Sequence, residues 1–97
     1  MSVKELSDRL VYFDGQRVRV RGWVEDCVSN SCSIEGRKDA SISLGPSPTF
    51  DAAVANRLGE TIVVEATVNV ECKTRKVICL DRVGTLRDPV LLTSREY

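Results

Sequence analysis

The ten residues Gln16 to Glu25, QRVRVRGWVE, constrain this chain more than any other segment. Val18, Val20, Gly22 and Val24 alternate strictly with Arg17, Arg19, Arg21 and Trp23. A period of two puts successive side chains on opposite faces, so the segment reads as a β-strand with one face in a core and the other basic. The full 97 residues are enough for one domain and one modest core, taken here as residues 1–97. The 14 basic and 14 acidic residues cancel, so any basic site is local and not a property of the whole surface.

Other elements follow from periodicity and punctuation. Ser2 with Glu5 forms a capping box, and Val3, Leu6, Leu10 and Phe13 recur at helical spacing until Asp14 and Gly15, which predicts an N-terminal helix over about 2–14. Weaker alternation at Cys32 and Ile34, and again at Ile42 and Leu44, flanks a turn at 35–39 and predicts a second and a third strand. Ser47 and Pro48 suit a helix start, with Phe50, Val54 and Leu58 on one face and Gly59 as its stop. Thr61 to Val70 is a long alternating strand, and the charged turn 73–76 leads into a last strand at Val77 to Leu86. In that strand Val77, Ile78, Cys79 and Leu80 are consecutive, so its facing is ambiguous. Pro89 then begins a C-terminal tail at 87–97.

Three strands, a helix and two further strands, with a glycine in the first strand where a small closed barrel bends sharply, is the element order of an OB-fold. The segments DGQRVRVRGWV, IEGRKDASISLG and LGETIVVEATV resemble the bacterial OB-fold (oligonucleotide/oligosaccharide-binding) domains, in which a G-x-x-V-x-V-x-G-x-V strand opens the barrel. The resemblance spans roughly residues 14–86. It implies an all-β, five-stranded Greek-key barrel over about 15–86, with a helix between strands three and four. It also implies a face on strands two and three that takes single-stranded nucleic acid or oligosaccharide, or in other members a protein partner.

The basic row suits the first of these. Arg17, Arg19 and Arg21 would contact phosphates and Trp23 would stack under a base, with Lys73, Arg75 and Lys76 closing the edge and Arg37 and Lys38 extending the surface. The plainer account is that exposed strand positions and turns are polar anyway, and that Glu25, Glu65 and Glu71 pair with the arginines for little gain in stability. Trp23 equally suits a cover over the barrel against the N-terminal helix.

Cys27 and Cys32 bracket one hairpin, and Cys72 and Cys79 another. Ligand count alone admits a four-thiolate zinc site, but the spacings C-x4-C and C-x6-C miss the C-x2-C knuckle. A Cys27–Cys32 disulfide is easy to form if the two face each other, although a reducing compartment would keep it open. Buried or half-buried thiols are therefore the expectation.

No histidine is present, and no glycine-rich phosphate loop, so neither a catalytic residue nor a cofactor is expected. Glu25 and Asp26 are adjacent and point to opposite faces of a strand. Residues 1–11 carry acidic groups where a secretory signal has an apolar core, and no run of about 18 apolar residues occurs. A cytoplasmic binding module without membrane contact is expected. Its partner would be single-stranded DNA or RNA, with a protein-interaction or structural module as the alternative.

Overall fold

A computed structural model describes residues 1–28, 31–72 and 82–92. The described residues are mostly sheet with three short helices: α1 (Val3–Asp8), α2 (Leu10–Phe13), β1 (Arg17–Gly22), β2 (Cys27–Val28), β3 (Ser31–Glu35), β4 (Ser41–Leu44), α3 (Pro48–Val54), β5 (Ile62–Cys72) and β6 (Arg82–Leu92). The strands form one mixed sheet in the order β1-β5-β6-β4-β3-β2. Every pair is antiparallel except β4 with β6, where Ser43 meets Thr85 and Leu44 meets Leu86. Five strands have four residues or more, and β2 is a two-residue addition that turns back onto the start of β3.

The alternation of the first strand holds. Val18, Val20 and Gly22 face inward and Arg17, Arg19 and Arg21 face outward. Ile34, Ile42, Leu44, Ile62, Val64, Ala66, Val68 and Leu86 complete the inner face, closed over by Val3 and Leu6 of α1 and by Phe50 and Val54 of α3. The caps read from the sequence are present. The Glu5 N–H donates to Ser2 Oγ at 3.1 Å, and the Phe50 N–H to Ser47 Oγ at 3.3 Å, with Pro48 in the first turn of α3.

Three expectations need correction. The helix expected over 2–14 is two helices, because Arg9 leaves helical geometry (φ −131°, ψ 29°) and lets Leu10 and Phe13 turn back onto the core. The helix starting at Pro48 stops at Val54, so Leu58 is exposed and does not join its face. Gly59 sits at φ +80°, with its N–H donating to the Val24 carbonyl. The last strand does not end at Leu86 but continues to Leu92, through the stretch read as a tail. Pro89 is tolerated there because β6 bulges. Asp88 and Pro89 together oppose Ala66, Asp88 takes φ +50°, and no ladder hydrogen bond is asked of the proline nitrogen. Residues 77–81 of the expected last strand lie outside the described residues, as does Cys79.

The N-terminal segment is built into the sheet. Ser2 bridges Arg21 in parallel, the Arg21 N–H donates to the Met1 carbonyl at 2.8 Å, and Val3 is fully buried. Val3 reaches this position because Gly22 and Gly36 have no side chains. A β-carbon at position 36 would lie 2.6 Å from Val3 Cβ, and one at position 22 would lie 2.8 Å from a Val3 methyl while pressing on the Glu35 carbonyl oxygen. Trp23, just beyond β1, pairs with Glu35 at the end of β3 through two hydrogen bonds, Trp23 N–H to Glu35 O at 3.1 Å and Glu35 N–H to Trp23 O at 2.7 Å. Gly22→Ala is therefore expected to lower stability by about 1–3 kcal/mol, the range of an overpacked core site. Urea unfolding measures it, and a midpoint equal to that of the native chain would contradict this packing.

A basic cleft as candidate functional site

The outward row of β1 divides into two chemically different parts. Arg17 is built into the sheet. Its guanidinium donates to the Asp88 carbonyl at 2.8 Å, to Thr67 Oγ1 at 3.1 Å, and at longer range to the Glu65 and Arg87 carbonyls. These acceptors surround the β6 bulge, where backbone carbonyls have lost regular ladder partners. Arg17 thus acts as a clip across β1, β5 and β6, a structural role for a residue expected to contact phosphate.

Glu65, on β5 opposite Arg19, takes both neighbouring arginines. Arg17 Nε lies 3.3 Å from Glu65 Oε2, and Arg19 Nε lies 3.3 Å from Oε1. Hydrogen bonds from Arg17, and then from Arg19, hold the Glu65 carboxyl below its ordinary value of 4.5. A second pair, Arg87 to Glu71 at 3.1 Å, continues the outer face of β5 and β6. Pairing of Glu65 and Glu71 with arginines thus matches the plainer account of this surface, although Glu71 pairs with Arg87 and not with β1.

The far half of the row opens onto a cleft of about 810 Å³. Arg19, Arg21 and Trp23 form one wall, Arg37 and Lys38 of the β3–β4 turn another, and Met1 to Glu5 the third, with Thr61 and Val63 at the base. Arg37 and Lys38 are exposed, and neither takes part in an ion pair among the described residues. Lys38 and Asp39 both take left-handed backbone (φ 58° and 59°), which folds the turn tightly beside Gly36. Lys4, also in the wall, is paired with Asp8 at 2.7 Å, and Glu5 is the one acidic lining residue among the described residues. Trp23 is half-buried, its backbone fixed by Glu35 and its indole in the cleft wall next to the N-terminal segment.

Of the expected site, Arg19, Arg21 and Trp23 come together with Arg37 and Lys38, Arg17 is turned to structure, and Lys73, Arg75 and Lys76 lie outside the described residues. The wall made by Met1 to Glu5 was not legible, since nothing in a capping box indicates that the residue before the helix will pair with a strand.

Cys27 and Cys32, expected as thiols, are joined as a disulfide. They are directly opposed across the β2–β3 pair, with Cα atoms 4.4 Å apart. This removes both from a four-thiolate zinc site in the oxidised protein. Cys72 ends β5. Among the described residues no helix is long and apolar enough to cross a membrane. A scan against protein-family models and a search of curated proteins found no match to the chain.

The sign of the Glu65 effect follows from its lowered pKa. A carboxyl held down in the folded state contributes stability that is complete above its unfolded value and is lost as pH falls through the folded value. Glu65→Gln is expected to flatten the decline in stability below about pH 4.5, the ordinary carboxyl value. Thermal melts of both proteins across pH 2–7 check this, and parallel curves would contradict it.

Proposed function

We propose that this chain is an OB-fold-like binding module and that its basic cleft holds single-stranded nucleic acid. The strand order supports this reading. β1 pairs with β5, β5 with β6, β6 in parallel with β4, β4 with β3, and the Trp23–Glu35 bridge brings β3 back to the end of β1. A small Greek-key barrel with one parallel pair would have this order.

The observation that carries the ligand is the convergence of Arg21, Trp23, Arg37 and Lys38 from different elements on one open cleft. Guanidinium and ammonium groups suit phosphates, and an indole offers a stacking face that any base can use. A cleft open on one side suits a strand passing through it better than a small molecule enclosed by it. Glu65 takes part of the charge of Arg19, and Arg17, committed to the sheet, contributes nothing to the ligand.

Three phosphate contacts, by Arg21, Arg37 and Lys38, correspond to a fall of log K with log salt of slope about −2, at roughly 0.7 per contact on single strands. The test follows Trp23 emission during titration with mixed-sequence single-stranded DNA and RNA at low and physiological salt. Saturable change with that slope, lost in the Arg21→Glu, Lys38→Glu double variant, is expected. No change up to roughly 100 μM, the weak end of non-specific binding, would overturn the nucleic-acid reading and leave a protein-interaction module.

A further inference from the structure

The disulfide has a third neighbour. Asp51, in the first turn of α3, brings Oδ1 to 3.3 Å from the Cys32 sulfur. A disulfide sulfur has no proton to give, so in the oxidised protein this half-buried carboxylate gains no hydrogen bond from Cys32. The contact becomes useful only when the sulfur carries a proton or a metal ion. The two sulfurs and a carboxylate oxygen all lie within 4.8 Å of one another. They come from three separate places in the chain, two facing strands and a helix packed beside them. Cys32 is 2% exposed, while Cys27 and Asp51 are half-buried.

We propose that reduction of the Cys27–Cys32 disulfide converts this corner into a site for a thiophilic divalent cation, above all zinc, held by both cysteine sulfurs and the Asp51 carboxylate. Two thiolates and a carboxylate are a zinc donor set, and water completes the tetrahedron. A dithiol supplies the two electrons and is itself oxidised to a disulfide. The S–S bond breaks and two protons pass to Cys27 and Cys32. Metal binding then displaces those protons to solvent as two metal–sulfur bonds and one metal–oxygen bond form. With zinc–sulfur bonds of about 2.3 Å the two sulfurs part to roughly 3.8 Å, within reach of side-chain rotation on facing strands. Oxidation therefore ties β2 to β3, whereas the metal ties both to α3.

The test uses cobalt(II) as a spectroscopic probe on the full chain carrying Cys72→Ser and Cys79→Ser, reduced by a phosphine that does not compete for metal. One equivalent of cobalt is expected to produce thiolate-to-metal charge-transfer absorption and intense tetrahedral visible bands, both bleached by zinc. Asp51→Asn should weaken binding at least about tenfold, the lower end of what even indirect support of a ligand contributes, and the oxidised protein should show no bands. Absence of the bands in reduced protein with native far-ultraviolet dichroism, or undiminished affinity in Asp51→Asn, would overturn the proposal. The same titration on that chain with Cys32→Ser added must lose the bands. Their retention would place the metal away from the Cys27–Cys32 pair and overturn the proposal equally.

Discussion

The two hydrogen bonds between Trp23 and Glu35, with Val3 seated over Gly22 and Gly36 beside them, join the far end of β1 to the β3–β4 hairpin. The longest ladder of the sheet is that between β5 and β6, whereas here contact is limited to a single backbone bridge. The valine fits only because two glycines let backbone approach backbone and leave a hollow the size of its side chain. The basic cleft exists because of that junction. It brings the outward face of β1 up against the turn that carries Arg37 and Lys38, and it makes the N-terminal residues a third wall.

One row of alternating arginines thus serves two purposes within a few residues. At the Arg17 end the guanidinium supplies donors where the β6 bulge leaves carbonyls unmatched, and Glu65 balances the charge it shares with Arg19. At the Arg21 end the same outward direction points into a cleft edged by further cations. Three acidic residues, Asp8 on α1 and Glu65 and Glu71 on the outer face of β5, pair with specific basic partners on this side of that division.

What was legible in the sequence was what local periodicity and capping encode. The inward valines of β1, the Ile42 and Leu44 pair of β4, and the Ser47–Pro48 start of α3 all follow from rules acting over a few residues. The failures were non-local. Pro89 reads as a strand breaker until a bulge opposite Ala66 excuses its missing N–H, and that bulge is itself clipped by Arg17 from a strand some seventy residues earlier. Leu58 has helical spacing from Val54, but α3 ends first and leaves it in solvent. In the site, the arginine row and Trp23 were visible as a pattern, whereas Glu65 as a shared acceptor, the wall formed by the N-terminal residues, and the approach of Asp51 to Cys32 depend on packing that no spacing rule records. The Cys27–Cys32 bond lies between these cases. Its spacing allowed it, but only the register of β2 on β3 decides that the two residues face each other.

The central claim is that a strand of nucleic acid lies in the cleft made at the Trp23–Glu35 junction. The most direct test is nitrogen-15 NMR of the native chain with a short unstructured single-stranded oligonucleotide added stepwise, reading backbone and indole shifts residue by residue. The account predicts that the largest perturbations fall on Arg21, the Trp23 indole, Gly36, Arg37 and Lys38, with Arg17 and the outer face of β6 left unchanged. Perturbations centred elsewhere on the sheet, or none at saturating oligonucleotide, would contradict it.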